Sequence, residues 1–301
     1  MNIYVVAQRD YIKVNIIYNY NSYGLHIYNY RDISMVKVEK KLLRIGNKLL
    51  KPLYKIYEKW LWLQIKNGPF PVHIGIIPDG NRRWARMRNL ETWKGHEVGY
   101  ERLKEVLNWI WELNIKAATI YAMSTENCTR RPPIEREKLF EIARNGLKSL
   151  LTDETITKKE IKVKIIGNLD LVPKDIVELA RKVEERTKNH NKHMLYIALC
   201  YGGRQEILDS VRKIANDVKK GVLEPSQINE NIFRRYLYTS ESPDPDLIIR
   251  TSGEVRISNF LLWQMAYSEL YFCEAFWPEF RKIDFWRAIR SYQHRERRFG
   301  K

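Results

Sequence analysis

Apolar positions along the chain change period repeatedly, and each change marks an element. Val72, Ile74, Ile76 and Ile77 form a short, mostly β-branched run of the kind a buried strand needs, ended by Pro78. Helical spacing follows at Val98, Leu103, Val106, Leu107, Ile110 and Leu113. Residues 117–123 read as a second buried strand, and a helix is expected over about 134–151. A strand at 163–166, a helix begun near Pro173, a strand at 194–200 and a helix at 205–218 continue the alternation. Strands at 247–249 and 270–272 and a helix at about 284–295 close it. Such alternation predicts an α/β fold, a single domain with a mostly parallel central sheet flanked by helices. Ligands gather at the carboxyl ends of the strands in such sheets. The polar turns beginning at Asp79, Ser124, Tyr201 and Arg250 each follow a strand, so all four are expected on one edge.

Before the first strand the pattern is different. Residues 38–65 carry apolar positions at helical spacing, and the surrounding stretch holds nine basic residues against two acidic ones. Pro52 is expected to kink or divide this segment. A basic amphipathic helix rich in Trp and Leu suits either the core, with a solvated basic face, or an anionic membrane surface. Residues 1–34 hold seven of the 18 tyrosines, show no sustained helical period and read as a dispensable extension able to form strands. The expected organisation is therefore an extension (1–34), a basic helical segment (35–70) and a catalytic domain (71–301).

Composition narrows the partners. Lys+Arg exceed Asp+Glu by 53 − 36 = 17, which suggests nucleic acid, an anionic membrane surface or phosphorylated substrates. No nucleic-acid reading module is recognisable, which argues against nucleic acid. No apolar run reaches the ~18 residues of a membrane span, and signal-peptide architecture is absent, so a cytoplasmic protein with at most peripheral membrane contact is expected. Cys128, Cys200 and Cys273 lack metal-ligand spacing and read as reduced thiols of a cytosolic protein. The histidines have no paired zinc spacing, and neither GxxxxGK[ST] nor a GxGxxG after the first strand is present.

The turn Asp79-Gly80-Asn81-Arg82-Arg83 combines a carboxylate, a flexible backbone position, an amide and two guanidiniums. A glycine turn feeding a helix start offers free N–H groups to a phosphate, the arginines add charge-assisted donors, and Asp79 can hold a divalent cation against the same phosphate. The loop from Arg250 to Asn259 supplies two more arginines, hydroxyls and a glycine. Glu269 lies in a short polar break between apolar segments, where a cation shared with Asp79, or an arginine, would compensate it.

HIGIIPDGNRRWA, YAMSTEN, YGGR and IIRTSGEVRISNFLLWQMAYSELYF, in that order, closely resemble the cis-prenyltransferases of the undecaprenyl or dehydrodolichyl diphosphate synthase type, with the approach GPFPVHI nearest the archaeal branch. The resemblance runs from about Pro71 to Gly300. It implies an enzyme that condenses isopentenyl diphosphate repeatedly onto an allylic diphosphate, farnesyl or geranylgeranyl, to make a long polyprenyl diphosphate, the precursor of a glycosyl-carrier lipid. Carried over by position, Asp79 matches the catalytic aspartate that binds Mg2+. Gly80, Asn81, Arg82, Arg83 and Trp84 match the loop for the allylic diphosphate, and His96 and Arg130 match further diphosphate contacts. Ser124, Thr125, Glu126 and Asn127 match a second active-site loop, with Asn127 assisting proton removal. Arg250, Arg256, Ile257 and Ser258 match the isopentenyl diphosphate site, and Glu269 a second metal-binding carboxylate. The resemblance also implies a hydrophobic product channel between sheet and helices, and a homodimer in which Arg298-Phe299-Gly300 reaches the partner's site. The sequence departs from the common pattern at Thr92, Cys128 and Val255.

Overall fold

The computed structural model describes residues 2–8, 11–17 and 52–294. The expectations for residues 18–51 and for Arg298-Phe299-Gly300 lie outside the described residues. The chain divides into two compact units, Met1–Leu53 and Tyr54–Lys301. In the first, β1 (Asn2–Gln8) and β2 (Tyr11–Ile17) pair antiparallel as a hairpin, with Gln8 opposite Tyr11. Residues 52–65 are helical (α1), and the unit boundary assigns residues 54–65 to the sheet-bearing unit rather than to a separate segment.

The second unit is built on β3 (His73–Ile77), β4 (Ala117–Tyr121), β5 (Ile161–Ile166), β6 (His193–Ala198), β7 (Leu247–Arg250) and β8 (Glu269–Phe272). These form one six-stranded parallel sheet in the order β5-β6-β4-β3-β7-β8. Between them run α2 (Asn81–Arg86), α3 (Thr92–Glu112), α4 (Thr125–Arg130), α5 (Pro133–Leu150), α6 (Glu154–Lys158), α7 (Lys174–Thr187), α8 (Gly203–Lys219) and α9 (Glu230–Tyr236), and α10 (Lys282–His294) follows the last strand. Every strand expected from the apolar runs is present within a few residues. The short helices α4, α6 and α9 were not anticipated, because six or so residues are too few to display a period.

Both faces of the sheet are covered, which explains continuous apolar strands rather than alternating ones. Ile74, Ile76, Ala118, Ile120, Val163, Ile165 and Leu195 belong to one core cluster, which includes Leu61 and Ile65 of α1. Their strand neighbours Ala117, Tyr121, Ile166, Tyr196 and Ile248 belong to the second, with Phe260 and Leu261. Of the two uses the amphipathic pattern allows, packing on the core accounts for one face of α1.

His73 opens the central strand and is fully buried. Its Nδ1 donates to the Pro243 carbonyl at 2.7 Å, so its Nε2 accepts from the Thr119 hydroxyl at 2.8 Å. Burial holds its pKa down at about 4. Because the unfolded chain takes up this proton near pH 6.5 and the folded chain only near pH 4, the neutral imidazole's contribution is complete above pH 6.5 and is lost as pH falls through that window. The linkage is worth about 3 kcal/mol. Thermal midpoints of the protein are therefore expected to fall between pH 6.5 and 4, and the same series on His73→Gln should have a visibly shallower slope there.

Candidate active site

Strand order places the site. The chain runs outward from β3 to one side of the sheet through β4, and only later to the other side through β7, so a crevice opens where β3 and β7 end side by side. Ile77 is paired with Arg250, which brings the two sequence-distant turns together. Asp79 follows β3 and Arg250 ends β7. Arg250 Nη2 donates to Asp79 Oδ2 at 2.7 Å, and Nη1 to Ser258 Oγ at 2.7 Å and to the Arg256 carbonyl. Arg250 is only 4% exposed, whereas the Asp79 side chain keeps 32% of its surface open to the cleft.

The Asp79 backbone is pinned from three sides. Its N–H donates to Thr251 Oγ1 at 2.9 Å, while its carbonyl accepts from that hydroxyl at 2.7 Å and from Trp277 N–H at 3.0 Å. Gly80 then turns with φ +98°, and a Cβ there would stand 2.6 Å from Phe276 Cδ1 and 2.7 Å from Ser252 Cβ, so geometry and space both demand glycine. Gly95 plays the complementary part on α3, since a Cβ there would meet the Asn81 carbonyl oxygen at 2.0 Å. This approach seats α2 against α3. At six residues α2 carries little dipole, so anion affinity at this turn rests on side chains rather than on the helix end.

The cleft of about 710 Å³ is lined by the turns after β3, β4 and β7. Six arginines (Arg82, Arg83, Arg86, Arg131, Arg250, Arg256) face three carboxylates (Asp79, Glu126, Glu254). Asn81, His96, Ser124, Asn127 and Ser258 complete the polar wall. Among the described residues, six buried side-chain polar atoms lack a well-formed hydrogen bond, and five belong to this wall: Asn81 Oδ1, Arg82 Nε, His96 Nε2, Arg131 Nε and Arg250 Nε.

A second layer holds the donors in place. Glu135, buried at the start of α5, pairs with Arg131 and with Arg82 Nε at 3.2 Å, and His96 Nε2 stands 3.7 Å away. His96, then Arg131 and Arg82, hold the Glu135 carboxyl at about 2 against the opposing effect of burial. Burial pushes the His96 imidazole below its ordinary value, so it is neutral near pH 7. Tyr121, stacked on Phe260 at 4.8 Å, donates from its hydroxyl to the Ser258 carbonyl at 3.1 Å and fixes the Arg256–Ser258 strip. Ser124 caps α4 by accepting from Asn127 N–H at 3.1 Å.

Beside the polar cleft lies an apolar cavity between α3, α5 and the sheet, with about 170 Å³ of water-accessible space. Pro78, Asn81, His96 and Ala122 line both, so the two adjoin. Gly99, Leu103 and Leu107 of α3, Leu147 and Leu150 of α5, and Ile197 of β6 form its walls.

Not every expected residue reaches the cleft. Asp79, Gly80, Asn81, Arg82, Arg83, His96, Ser124, Glu126, Asn127, Arg250, Arg256 and Ser258 do. Trp84 instead lies under the Arg88 guanidinium and donates to Glu279. Thr125 ties α4 to the Cys200 carbonyl, and Ile257 packs against the second core cluster. The Tyr201 turn shares the edge but supports it from behind, accepting from Thr125 N–H at 2.9 Å. Of the adjacent arginines, Arg130 is exposed at the end of α4, and Arg131 enters the cleft. Glu269 begins β8 at the level of Leu247 and, through it, of Ile74. That is the opposite end of the sheet from Asp79, roughly 16 Å along the strands, so the two carboxylates do not share a site within this chain. Arg131 and Glu135 were not anticipated, although their i,i+4 spacing after the YAMSTEN turn is a legible signal.

The cysteine reading is corrected. Cys128 and Cys200 form a disulfide with Cα atoms 5.7 Å apart, while Cys273 is free and buried. Spacing along the chain could not show this pairing. β4 and β6 are neighbours, so residues just beyond their carboxyl ends meet although 72 positions apart. The compartment argument built on reduced thiols goes with it.

Residues 77–300 match the family described as "Putative undecaprenyl diphosphate synthase". The chain is 54% identical over 256 residues to a tritrans,polycis-undecaprenyl-diphosphate synthase (GGDP specific) of Sulfolobus acidocaldarius, covering 85% of this chain and 98% of that one. It is 52% identical over 265 residues to the geranylgeranyl-diphosphate specific counterpart from Methanopyrus kandleri, covering 88% and 96%. Among solved structures it resembles lavandulyl diphosphate synthase from Lavandula x intermedia in complex with dimethylallyl diphosphate, at 35% identity and a TM-score of 0.74 over 77% of this chain and 99% of that one.

Two outcomes are expected from this geometry. Calorimetric titration with inorganic diphosphate should show Arg131→Ala weakening binding about tenfold or more, as loss of a charge-assisted contact implies, while Arg130→Ala stays within about twofold. Cys128→Ser should lower the thermal midpoint by roughly 10 °C, since opening a 72-residue loop costs roughly 4 kcal/mol.

Proposed function

The chain belongs to the cis-prenyltransferases of the undecaprenyl diphosphate synthase family, and from that premise we propose that it lengthens geranylgeranyl diphosphate by repeated condensation with isopentenyl diphosphate. The observation that carries this reading is the junction of an arginine-walled cleft with an apolar cavity through Pro78, Asn81, His96 and Ala122. A prenyl diphosphate is charged at one end and hydrocarbon at the other, and the junction fits both. The choice of geranylgeranyl over farnesyl, and of an undecaprenyl product, rests on the names of the archaeal relatives. Such a product serves as precursor of a glycosyl-carrier lipid.

In this reading Arg82, Arg83 and Arg131 take the allylic diphosphate, with its tail entering the cavity past Asn81. Arg250, Arg256 and Ser258 take the diphosphate of isopentenyl diphosphate. Carbon 4 of isopentenyl diphosphate then bonds to carbon 1 of the allylic partner, the allylic C–O bond breaks, and a proton leaves carbon 2. The arginines stabilise the charge gathering on the departing diphosphate, from positions fixed in advance by Glu135 and Tyr121. Asn127 has no basicity of its own, so it orients the reacting unit while the released diphosphate accepts the proton. Each cycle pushes the tail further along α3.

Mg2+ fits this site on its donor chemistry. Asp79 is a hard oxygen donor open to the cleft, and no cluster of three or more metal-ligating side chains occurs among the described residues. Mg2+ is ordinarily held by one or two carboxylates and completed by substrate phosphates and water. Asp79 would hold it, and when bound it would neutralise diphosphate charge. Glu269 has no place beside Asp79 in this arrangement.

Purified protein with labelled isopentenyl diphosphate, Mg2+ and geranylgeranyl diphosphate should yield long polyprenols after dephosphorylation, with farnesyl diphosphate a poorer primer. Asp79→Ala should lower turnover about a thousandfold. Failure to incorporate label with any primer would sink the catalytic reading in favour of a non-catalytic partner subunit.

A further inference from the structure

Helix α1 presents a third face that neither the core nor the active site uses. With 3.6 residues per turn, Tyr57, Leu61 and Ile65 share the side that packs on the core. Ile56, Trp60 and Leu63 fall within about 60° of one another on another side. They are 65%, 48% and 51% exposed. Isolated exposed apolar residues need no explanation. Three in register along one helix form a stripe.

Positive charge borders that stripe on both sides. Lys55 and Lys59 form a row next to it on α1, and Lys66 continues the row just beyond the helix. On the other side Arg290 of α10 lies 5.8 Å from the Trp60 ring and donates to Gln64 at 3.0 Å. The row opens into a groove of about 610 Å³ lined by Lys55, Lys59, Trp62, Lys282 and Trp286, with Glu58 and Glu112 as its carboxylates. Glu112 is paired with Lys282 at 2.8 Å, so the groove remains positive overall. An apolar stripe with Trp, flanked by lysines, is the arrangement by which a helix lies in a bilayer interface. Among the described residues, no helix is long and apolar enough to cross one.

We propose that this face of α1 docks the protein on an anionic lipid bilayer, with Ile56, Trp60 and Leu63 among the acyl chains and Lys55, Lys59 and Lys66 against phosphate headgroups. Its position suits the reaction, and this part rests on the function proposed above. The apolar cavity runs along α3 from His96 to Leu107, and the groove beside α1 begins at Glu112, about 7.5 Å further along that helix. The growing tail therefore points toward the end of the fold that would meet the lipid.

The test is sedimentation of the full chain, without substrates, with vesicles of phosphatidylcholine alone or with roughly a third replaced by phosphatidylglycerol. Binding is expected to the anionic vesicles, weakening as salt rises. Ile56→Asp/Leu63→Asp should reduce it at least tenfold, leaving the thermal midpoint and the condensation rate in detergent unchanged. Lys55→Glu/Lys59→Glu should reduce it by a similar factor, without relying on the apolar substitutions. Equal binding by parent and both variants, or none by the parent, would overturn the proposal. So would a fall in particle mass of the Ile56→Asp/Leu63→Asp protein without lipid, because the stripe would then be covered by a second copy. Since vesicle binding is read without turnover, it stands or falls separately from the catalytic assignment.

Discussion

The contact between Asp79 and Arg250 is the constraint from which the rest of the site follows. Arg250 is almost wholly buried at the end of one central strand, and its guanidinium is spent on Asp79, Ser258 and the Arg256 carbonyl. A buried cation of this kind is tolerable only when its partners are in place, and removing one would leave an uncompensated charge costing roughly 3–5 kcal/mol. Parallel pairing of β3 with β7, which sets Ile77 opposite Arg250, supplies those partners by topology. One ion pair thus joins the two turns that carry most of the cleft. It also holds Asp79 Oδ2, while Oδ1 accepts from the Gly80 N–H at 2.6 Å and the side chain stays partly open to the cleft.

Charge in the cleft is preorganised rather than merely abundant. Glu135 lies behind Arg82, Arg131 and His96, and its carboxyl is ionised at any ordinary pH. It cancels part of the repulsion between the two arginines and fixes the direction of all three side chains, so a ligand meets donors already aimed. Glycines at positions 80 and 95 let backbone and side chains approach closely enough for one wall to serve both polar cleft and apolar cavity.

Much of this was legible in the sequence, for identifiable reasons. A strand buried on both faces must be apolar at consecutive positions, so β3, β4, β5, β6 and β7 announced themselves, and the polar turns after them pointed to one edge. The turn Asp79–Arg83 and the loop Arg250–Ser258 were legible because dense arginine, hydroxyl and glycine content next to a buried strand has few structural uses. Harder to read were effects that depend on which way a side chain leaves its helix. Arg130 and Arg131 are neighbours of identical chemistry, and only the turn into α5 decides that the second faces the cleft and meets Glu135. The Tyr201 turn carried the same kind of residues as the others, but it supports α4 from behind instead of lining the wall.

By itself the sequence determined the class of fold and the edge of the sheet on which the polar, arginine-rich turns gather, because these follow from local composition and period. Only the tertiary structure decided what lies beside what. Strand order brought Cys128 to Cys200, register set Glu269 at the far end of the sheet from Asp79, and packing of α1 separated its buried face from its exposed one. Each of these is a relation between segments tens of residues or more apart, or between a helix and its surroundings. Period and composition are properties of one segment at a time and carry no record of such relations.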